Sequence, residues 1–394
     1  YHGQPLHRTH GGRISSPKVL IISHANWEGI SRVPALLVQA GCSVDVMSAA
    51  ETFIAHSSSV AGHIRAPESL DDFLVFLKAH LQARHTDYAW IMVGDDPVMY
   101  ALGRLRHEPW ARSLLPCNAT DGCIDFLVSK LDFLVQASEA KLPVPPYMLC
   151  SDSPALQAAA DSLGFPLVVK QREGFGGKTV SIVESRDALQ QLVFDEAVIA
   201  QAFVPGRLGS ASVYFDHGRL IGFFSYFRER TWGQKGASTA VVFHAFPEME
   251  VILHKLGQLS GFHGLCGIDF IQHEKTGQLV LLEQNFRPTL TVLLGHRVGV
   301  DLGALIYQTI RGQLVTPVVK QTPSNLGAVP LFPIDVLRAI DEKDLKGLGQ
   351  WLLKPSWWPE MNWQDGKLLR YNLRYVMRFL VAKVLRQLGL KQAS

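Results

Sequence analysis

The chain has 394 residues, 47% of them apolar and 19% charged, the balance of a soluble globular protein rather than of a disordered one. No uninterrupted apolar run reaches membrane-spanning length, and this many residues exceed one ordinary core, so two or three domains are expected. The net charge of +3 is uneven: seven Lys or Arg against two acids between Pro355 and Ser394 leave that tail at +5 and the remainder at −2, which argues against nucleic acid as a partner of the body.

Residues 1–16 form a polar leader in which His2, His7 and His10 read as part of a flexible end. Lys18 to Ser23 is a buried strand, Trp27 to Ala40 a helix closed by Gly41, and Ser43 to Met47 a second strand. A helix over Leu70 to Arg84 and a strand over Tyr88 to Val93 continue the alternation, so residues 17–125 read as a small parallel α/β domain. Such domains bind ligands beyond the carboxyl ends of their strands, here His24 to Glu28 and Gly94 to Pro97. Five scattered cysteines, odd in number and without CxxC spacing, argue for a reducing, cytoplasmic compartment and against structural zinc.

An amphipathic helix over Ser129 to Lys141 ends at the proline-rich stretch Pro143 to Pro146. Strands follow at Leu167 to Lys170 and Thr179 to Val183, then a helix near Ser185 to Leu192 and a strand at Ala197 to Phe203. Between the first two lies a loop with Gly174, Gly176 and Gly177, flanked by Lys170 and Lys178. Glycines let backbone N–H groups approach phosphate oxygens, and lysines neutralise them, although a mobile hairpin tip has the same composition. A P-loop is excluded, because Arg172 stands where that motif needs glycine and a β-branched strand follows where it needs a helix. Ser212 to Phe227 reads as a hairpin around His217-Gly218, and Met249 to Ser260 as a helix.

The stretch from Cys266 to Pro288 is the most informative. Asp269 ends one apolar run, and Glu283 and Asn285 end the next. With a turn near Thr276 and Gly277, equal counting outward sets Asp269 across from Glu283, and alternation puts Glu283, Asn285 and Arg287 on one face. Two carboxylates and an amide oxygen on one face suit Mg²⁺ that also bridges phosphates. A hairpin with merely polar ends is the plainer alternative.

Lys130 opening a helix, Lys170 before a glycine-rich loop, Gln201 to Gly206, and the Asp269, Glu283, Asn285, Arg287 set together resemble the ATP-grasp superfamily. The resemblance covers about Phe126 to Ile310. It implies a mixed α/β and α+β ATP-grasp fold: an N-terminal α/β (pre-ATP-grasp) domain, a small subdomain over 126–206 and a large one over 207–312. A C-terminal helical extension over 313–394 would follow. Lys130 and Lys170 would contact the phosphates of ATP, with Gly174 to Lys178 closing over them. The linker of Gln201, Ala202, Phe203 and Val204 would hold the adenine, its backbone at Ala202 and Val204 meeting the ring edge. Asp269, Glu283 and Asn285 would bind Mg²⁺, as two ions with Mn²⁺ as a substitute, and Arg287 would steady the transferring phosphoryl group. The family's glutamate in the linker and its carboxylate after the glycine have no counterpart here, which leaves Gln201 or Ser210 for the ribose.

The resemblance implies a ligase that converts a small-molecule carboxylate into an acyl phosphate, releases ADP and joins the acyl group to an amine. A phosphotransferase, a carboxylase component and a nucleotide-binding scaffold or sensor are the alternatives. Candidate substrate contacts are His24, Asn26, Glu28, Asp95, Asp96, Arg228, Arg230, Trp232 and Lys235, while Asp95-Asp96 before Pro97 also fits a helix cap and the arginines a solvated surface. Gly366 to Leu388 reads as a basic amphipathic helix with Arg370, Arg374 and Arg378 along one side. It suits either a peripheral contact with an anionic membrane or docking on its own protein or a partner, a homodimer included.

Overall fold

The computed structural model describes residues 16–117, 120–172, 180–233 and 236–387. Residues 1–15 of the leader, Gly174, Gly176, Gly177, Lys178 and Lys235 therefore lie outside the described residues. The strands in chain order are β1 (Lys18–Ile22), β2 (Ser43–Ser48), β3 (Gly62–Arg65), β4 (Trp90–Val93), β5 (Tyr147–Cys150), β6 (Leu167–Gln171) and β7 (Val180–Val183). They continue with β8 (Val198–Ala202), β9 (Gly206–Asp216), β10 (Arg219–Thr231), β11 (Ser238–Phe243), β12 (Gly264–His273), β13 (Leu279–Asn285) and β14 (Val329–Pro330).

They build three sheets, and the fold is a mixed α/β one. The first is parallel, in the order β3-β2-β1-β4, with β1 paired to β2 and β4 on either side. The second is small and antiparallel, in the order β5-β8-β6-β7. The third is antiparallel, in the order β13-β12-β9-β10-β11-β14. One apolar core joins the parallel sheet's Leu20, Ile22 and Val93 through helix residues such as Leu127 and Phe133 to Val213, Ile268 and Phe270 of the large sheet. The small sheet packs Val169, Val198 and Ala200 around a core of its own.

The expected single helix from Trp27 is instead a 3-10 turn over Glu28–Arg32 followed by an α-helix over Val33–Gln39. Pro34 has no N–H to donate backwards, so it sits in the first turn of the α-helix, where that donor has no partner to lose. The helix Leu70–Arg84 has the expected bounds and begins at Ser69, whose hydroxyl accepts from the Asp72 N–H. The helix Asp96–Arg104 is capped by Asp95, which receives the Val98 N–H at 3.0 Å.

Beyond residue 313, β14 adds the last strand of the large sheet. The helix Gly366–Gln387 lies against the parallel sheet's loops through Phe53, which meets the rings of Tyr371 and Tyr375, and against Trp232 through Phe379. Leu373, Met377, Val381 and Val384 stay exposed on it. No helix among the described residues is long and apolar enough to cross a membrane.

Asp335 holds this C-terminal segment in place. Its fully buried carboxylate accepts two hydrogen bonds from Arg230, at 3.0 and 2.8 Å, and others from Arg338, Thr239 and the Trp351 indole. Removing one partner of a buried pair leaves the other charge uncompensated, at a cost of about 3–5 kcal/mol. Asp335→Ala is therefore expected to lower the unfolding free energy by about that much, measured by denaturant titration.

Candidate active site

The two carboxylates meet because of a one-residue irregularity in the ladder. Asp269 pairs with Glu283 and Gly267 with Asn285, but Phe270 pairs with Leu281, so Leu282 is bulged out. Without the bulge, alternation would put Leu279, Leu281, Glu283 and Asn285 on one face. With it, Leu279 and Leu281 share the face of Phe270, while Glu283 and Asn285 pass to the face of Asp269. On that face Asn285 Nδ2 donates to Asp269 Oδ2 at 3.3 Å, and Ser210 of β9 lies opposite Asp269.

Four cations surround the pair. Lys130, in the first turn of the helix Lys130–Glu139 behind the Ser129 cap, has its Nζ 3.7 Å from Glu283 Oε2. Lys170 near the end of β6 is buried. Arg228 of β10 approaches Asp269 Oδ2 at 3.8 Å and donates to the Gly236 carbonyl. Arg287 donates to Asp96 Oδ2 at 2.7 Å, and its guanidinium lies 4.4 Å from the Trp27 ring centre.

These neighbours set the charge states. Burial pushes Glu283 up, but Lys130, Lys170, Arg287 and Arg228 outweigh it and hold the carboxylate below its ordinary range. Burial raises Asp269 and the Glu283 charge adds to the rise, against the opposing pull of Arg228, Ser210 and Arg287. Lys170 is pushed down to about 8 by burial, with Lys130 adding to the fall and Glu283 and Asp269 resisting it.

Two clefts adjoin at this cluster and share Asp96 and Asn285. The narrower one, about 30 Å³, is lined by Ser129, Lys130, Phe133 and Glu283. The larger, about 300 Å³, runs between the parallel sheet and the large sheet and is lined by Trp27, Glu28, Ser210, Tyr226, Arg228, Asp269 and Arg287. The Asp269, Glu283 and Asn285 side chains offer an all-oxygen donor set, a fit for Mg²⁺.

Several other expected contacts are placed differently. Of the three contacts expected after β1 (His24, Asn26 and Glu28), Glu28 alone lines the larger cleft. His24 instead contacts the Glu68 carbonyl through Nε2 at 2.8 Å, and Asn26 accepts the Phe53 N–H at 2.9 Å. Asp95 borders the cleft, but its carboxylate is bound by Ser23 and the N–H groups of His24, Ala25 and Val98, so it fastens the end of β1 to the end of β4. Asp96 holds Arg287. Arg230 is committed to Asp335, and Trp232 donates to Asp341 at 2.9 Å. Ser210 stands beside the carboxylates, and Gln201 is buried on β8 with its Nε2 unpartnered. Ala202 gives its N–H to the Pro146 carbonyl at 2.8 Å, which commits that donor, and Phe203 is exposed.

Sequence reasoning missed Trp27 beneath Arg287 and a hydroxyl network on the cleft wall. Tyr226 and Thr291 are 2.9 Å apart, Thr291 and Thr289 2.9 Å, and Ser212 reaches both threonines. The two threonines were signalled, since they continue the alternate spacing of Glu283, Asn285 and Arg287.

Known proteins resemble this chain in sequence over its middle part and in fold over most of it. Residues 128–291 match the family model of the ATP-grasp domain. Carbamoyl-phosphate synthase of Methanobrevibacter smithii is 22% identical over 227 residues, 53% of this chain and 59% of that protein, so the chain spans less than two thirds of this relative. N5-carboxyaminoimidazole synthetase of Staphylococcus aureus, solved with ADP, superposes with a TM-score of 0.64 at 16% identity, over 84% of this chain and 86% of that one. The biotin carboxylase domain of the Hydrogenobacter thermophilus 2-oxoglutarate carboxylase, solved with MgADP and bicarbonate, gives 0.60 at 16% identity over 78% and 72%.

Lys170 generates a pH prediction. Its charged form, which attracts phosphate, is lost as pH rises through about 8. MgADP affinity measured by calorimetry is expected to fall across that pH, and Lys170→Arg, which stays charged, is expected to abolish the inflection. The same group affects stability with the opposite sign. The unfolded lysine holds its proton up to its ordinary value of 10.5, so the destabilising burial of this charge is present below pH 8 and relieved between about 8 and 10.5.

Proposed function

We propose, from the match of residues 128–291 to the ATP-grasp domain, that the chain is an ADP-forming ATP-grasp ligase that activates a carboxylate as an acyl phosphate and joins it to an amine. Relatives of this kind support an ATP-dependent ligase in general; the acid and the amine are the proposal. The observation that carries it is the junction of the two clefts at Asn285 and Asp96, with Glu283 and Lys130 on the narrow side and Arg228 and Arg287 on the wide side.

The narrow cleft and Lys170 form the nucleotide side, where lysine charges suit phosphates. The glycine-rich loop, Gln201 and Phe203 are proposed for the same side. Asp269, Glu283 and Asn285 hold Mg²⁺, which supplies charge neutralisation at the phosphates. The wide cleft receives the acid. Arg228 is suited to bind it, because its buried Nε has no hydrogen-bond partner and its guanidinium already leans on Asp269. Arg287 is fixed in direction by Asp96 and Trp27, so it stands ready for an oxyanion without paying reorientation when one forms. Glu28, whose carboxyl burial raises above its ordinary range, lies on the same wall and suits the incoming amine as hydrogen-bond partner or proton acceptor. No nucleophilic side chain is required, because phosphoryl transfer depends on positioning and charge.

A second reading is favoured by the bicarbonate bound in the biotin carboxylase structure: the acid is bicarbonate and the product a carbamate or carboxylated amine. One experiment separates the two. ADP and phosphate release from MgATP is measured with pooled carboxylates and amines, with and without added bicarbonate, and the mixture is analysed by mass spectrometry. A product lighter than its parents by one water identifies the ligase, and ADP release that depends on bicarbonate identifies the second reading. Glu283→Ala is expected to cut turnover by at least about 10²-fold in either case, whereas a protein that binds nucleotide without turnover gives no ADP in the wild type.

A further inference from the structure

At the opposite end of β9 from the cleft, roughly 20 Å from Ser210 by strand rise, Asp216, His217 and His263 form a second polar cluster. Asp216 ends β9, and His217 occupies the turn into β10 with φ of +47°. The turn is pinned next to His263, because Gly218 donates its N–H to the Phe262 carbonyl at 2.7 Å and a side chain at Gly218 would meet the Gly257 carbonyl oxygen at 2.6 Å. His263 is fixed in turn by its N–H on the Pro116 carbonyl at 2.9 Å and by edge contact with the Trp90 ring, 5.4 Å between centres.

The donor atoms converge. Asp216 Oδ1 is 2.8 Å from His217 Nδ1 and 3.3 Å from His263 Nδ1, all three lie within 4.8 Å of one another, and the two imidazoles stack 4.2 Å apart. In a tetrahedral site with bonds of 2.0–2.2 Å, neighbouring donors stand about 3.3 Å apart, which is the scale seen here. Arg219 takes the other carboxylate oxygen at 3.4 Å and leaves Oδ1 for the shared point.

A proton shared between histidine and aspartate explains the His217 contact but not His263. The His263 Nδ1 is buried, and Asp216 Oδ1, 3.3 Å away, is poorly aligned with it for a hydrogen bond. Ligands of one ion approach closely in this way without pointing at each other, and an unpartnered buried nitrogen otherwise carries a desolvation cost.

We infer that Asp216, His217 and His263 bind a divalent transition-metal ion of the zinc class, with the fourth position left to water. Two imidazoles and one carboxylate select such an ion over Mg²⁺, so the site is chemically separate from the Asp269, Glu283 and Asn285 set. The ion would fasten the β9–β10 turn to the segment entering β12, the strand that carries Asp269.

The test uses the full chain, stripped with EDTA and titrated with Zn²⁺ by calorimetry and with Co²⁺ by visible absorption. His217→Asn and Asp216→Asn serve as the comparisons. Asparagine tolerates the left-handed backbone at position 217, and that side chain is exposed, so the first variant is expected to fold. The wild type should bind one more equivalent than either variant, or bind it at least about tenfold more tightly, and only it should show a ligand-field band and a Zn²⁺-dependent rise in melting temperature. Zn²⁺ binding of equal stoichiometry and affinity in the wild type and His217→Asn, or no binding at all, would overturn the assignment; histidines elsewhere, His2, His7 and His10 among them, contribute equally to both proteins and cancel in the comparison.

Discussion

Two carboxylates facing each other on a strand pair, largely withdrawn from water, are a local cost that the rest of the molecule has to balance. Asp269 and Glu283 repel, and burial favours their neutral forms. The compensation comes from distant parts of the chain: Lys130 from a helix start, Lys170 from the small sheet, Arg228 from β10 and Arg287 from the segment after β13. Each of these cations is held by an element that packs for its own apolar reasons. The three sheets therefore converge on the pair electrostatically as well as through the core. The excess of positive charge also explains how a site built from buried carboxylates remains suited to polyphosphate: once the carboxylates and a metal are matched, the lysines still attract anions.

The parallel sheet contributes less chemistry than orientation. Asp95 uses its oxygens to join the ends of β1 and β4, and its neighbour Asp96 reaches the Arg287 guanidinium at 2.7 Å. Trp27 lies against the same group. The helix start after β4 thus holds a residue of the segment after β13, 191 positions away in sequence, at the junction of the two clefts. Any movement between the parallel sheet and the large sheet would strain the Arg287–Asp96 contact, so the relative position of the two sheets and the direction of this guanidinium are coupled.

Much of this was legible in the chain because alternation and turn chemistry are local. The Asp269, Glu283 and Asn285 face, the His217-Gly218 hairpin and the helix Leu70–Arg84 needed only strand and helix periods. The bulge at Leu282 was not legible: equal counting reached the correct pairing without showing that the apolar residues change faces to permit it. Partner choice between distant residues was also hidden. Arg228 and Arg230 are two apart on one strand and look equivalent, yet the first lines the cleft and the second is bound to Asp335 of a helix 105 residues later. Strand β11 escaped notice because Ser238 to Phe243 is short and lies next to a polar stretch, and β14 because two residues carry no period.

The contrast between those two arginines also bears on specificity. A guanidinium saturated by a buried carboxylate, as Arg230 is, contributes packing and charge balance and has little left for a ligand. Arg228 is only partly engaged, at 3.8 Å from an aspartate that a cation would claim. Were Mg²⁺ to take up the Asp269 charge, the attraction on Arg228 would weaken and free its unpartnered Nε, in a cleft also lined by the hydroxyls of Tyr226, Thr289 and Thr291. Metal occupancy would then raise the affinity of the wide cleft for an acid, and binding of the two would be coupled through one side chain. By reciprocity the acid would tighten the metal to the same degree, so the order in which they arrive is immaterial to the complex finally formed.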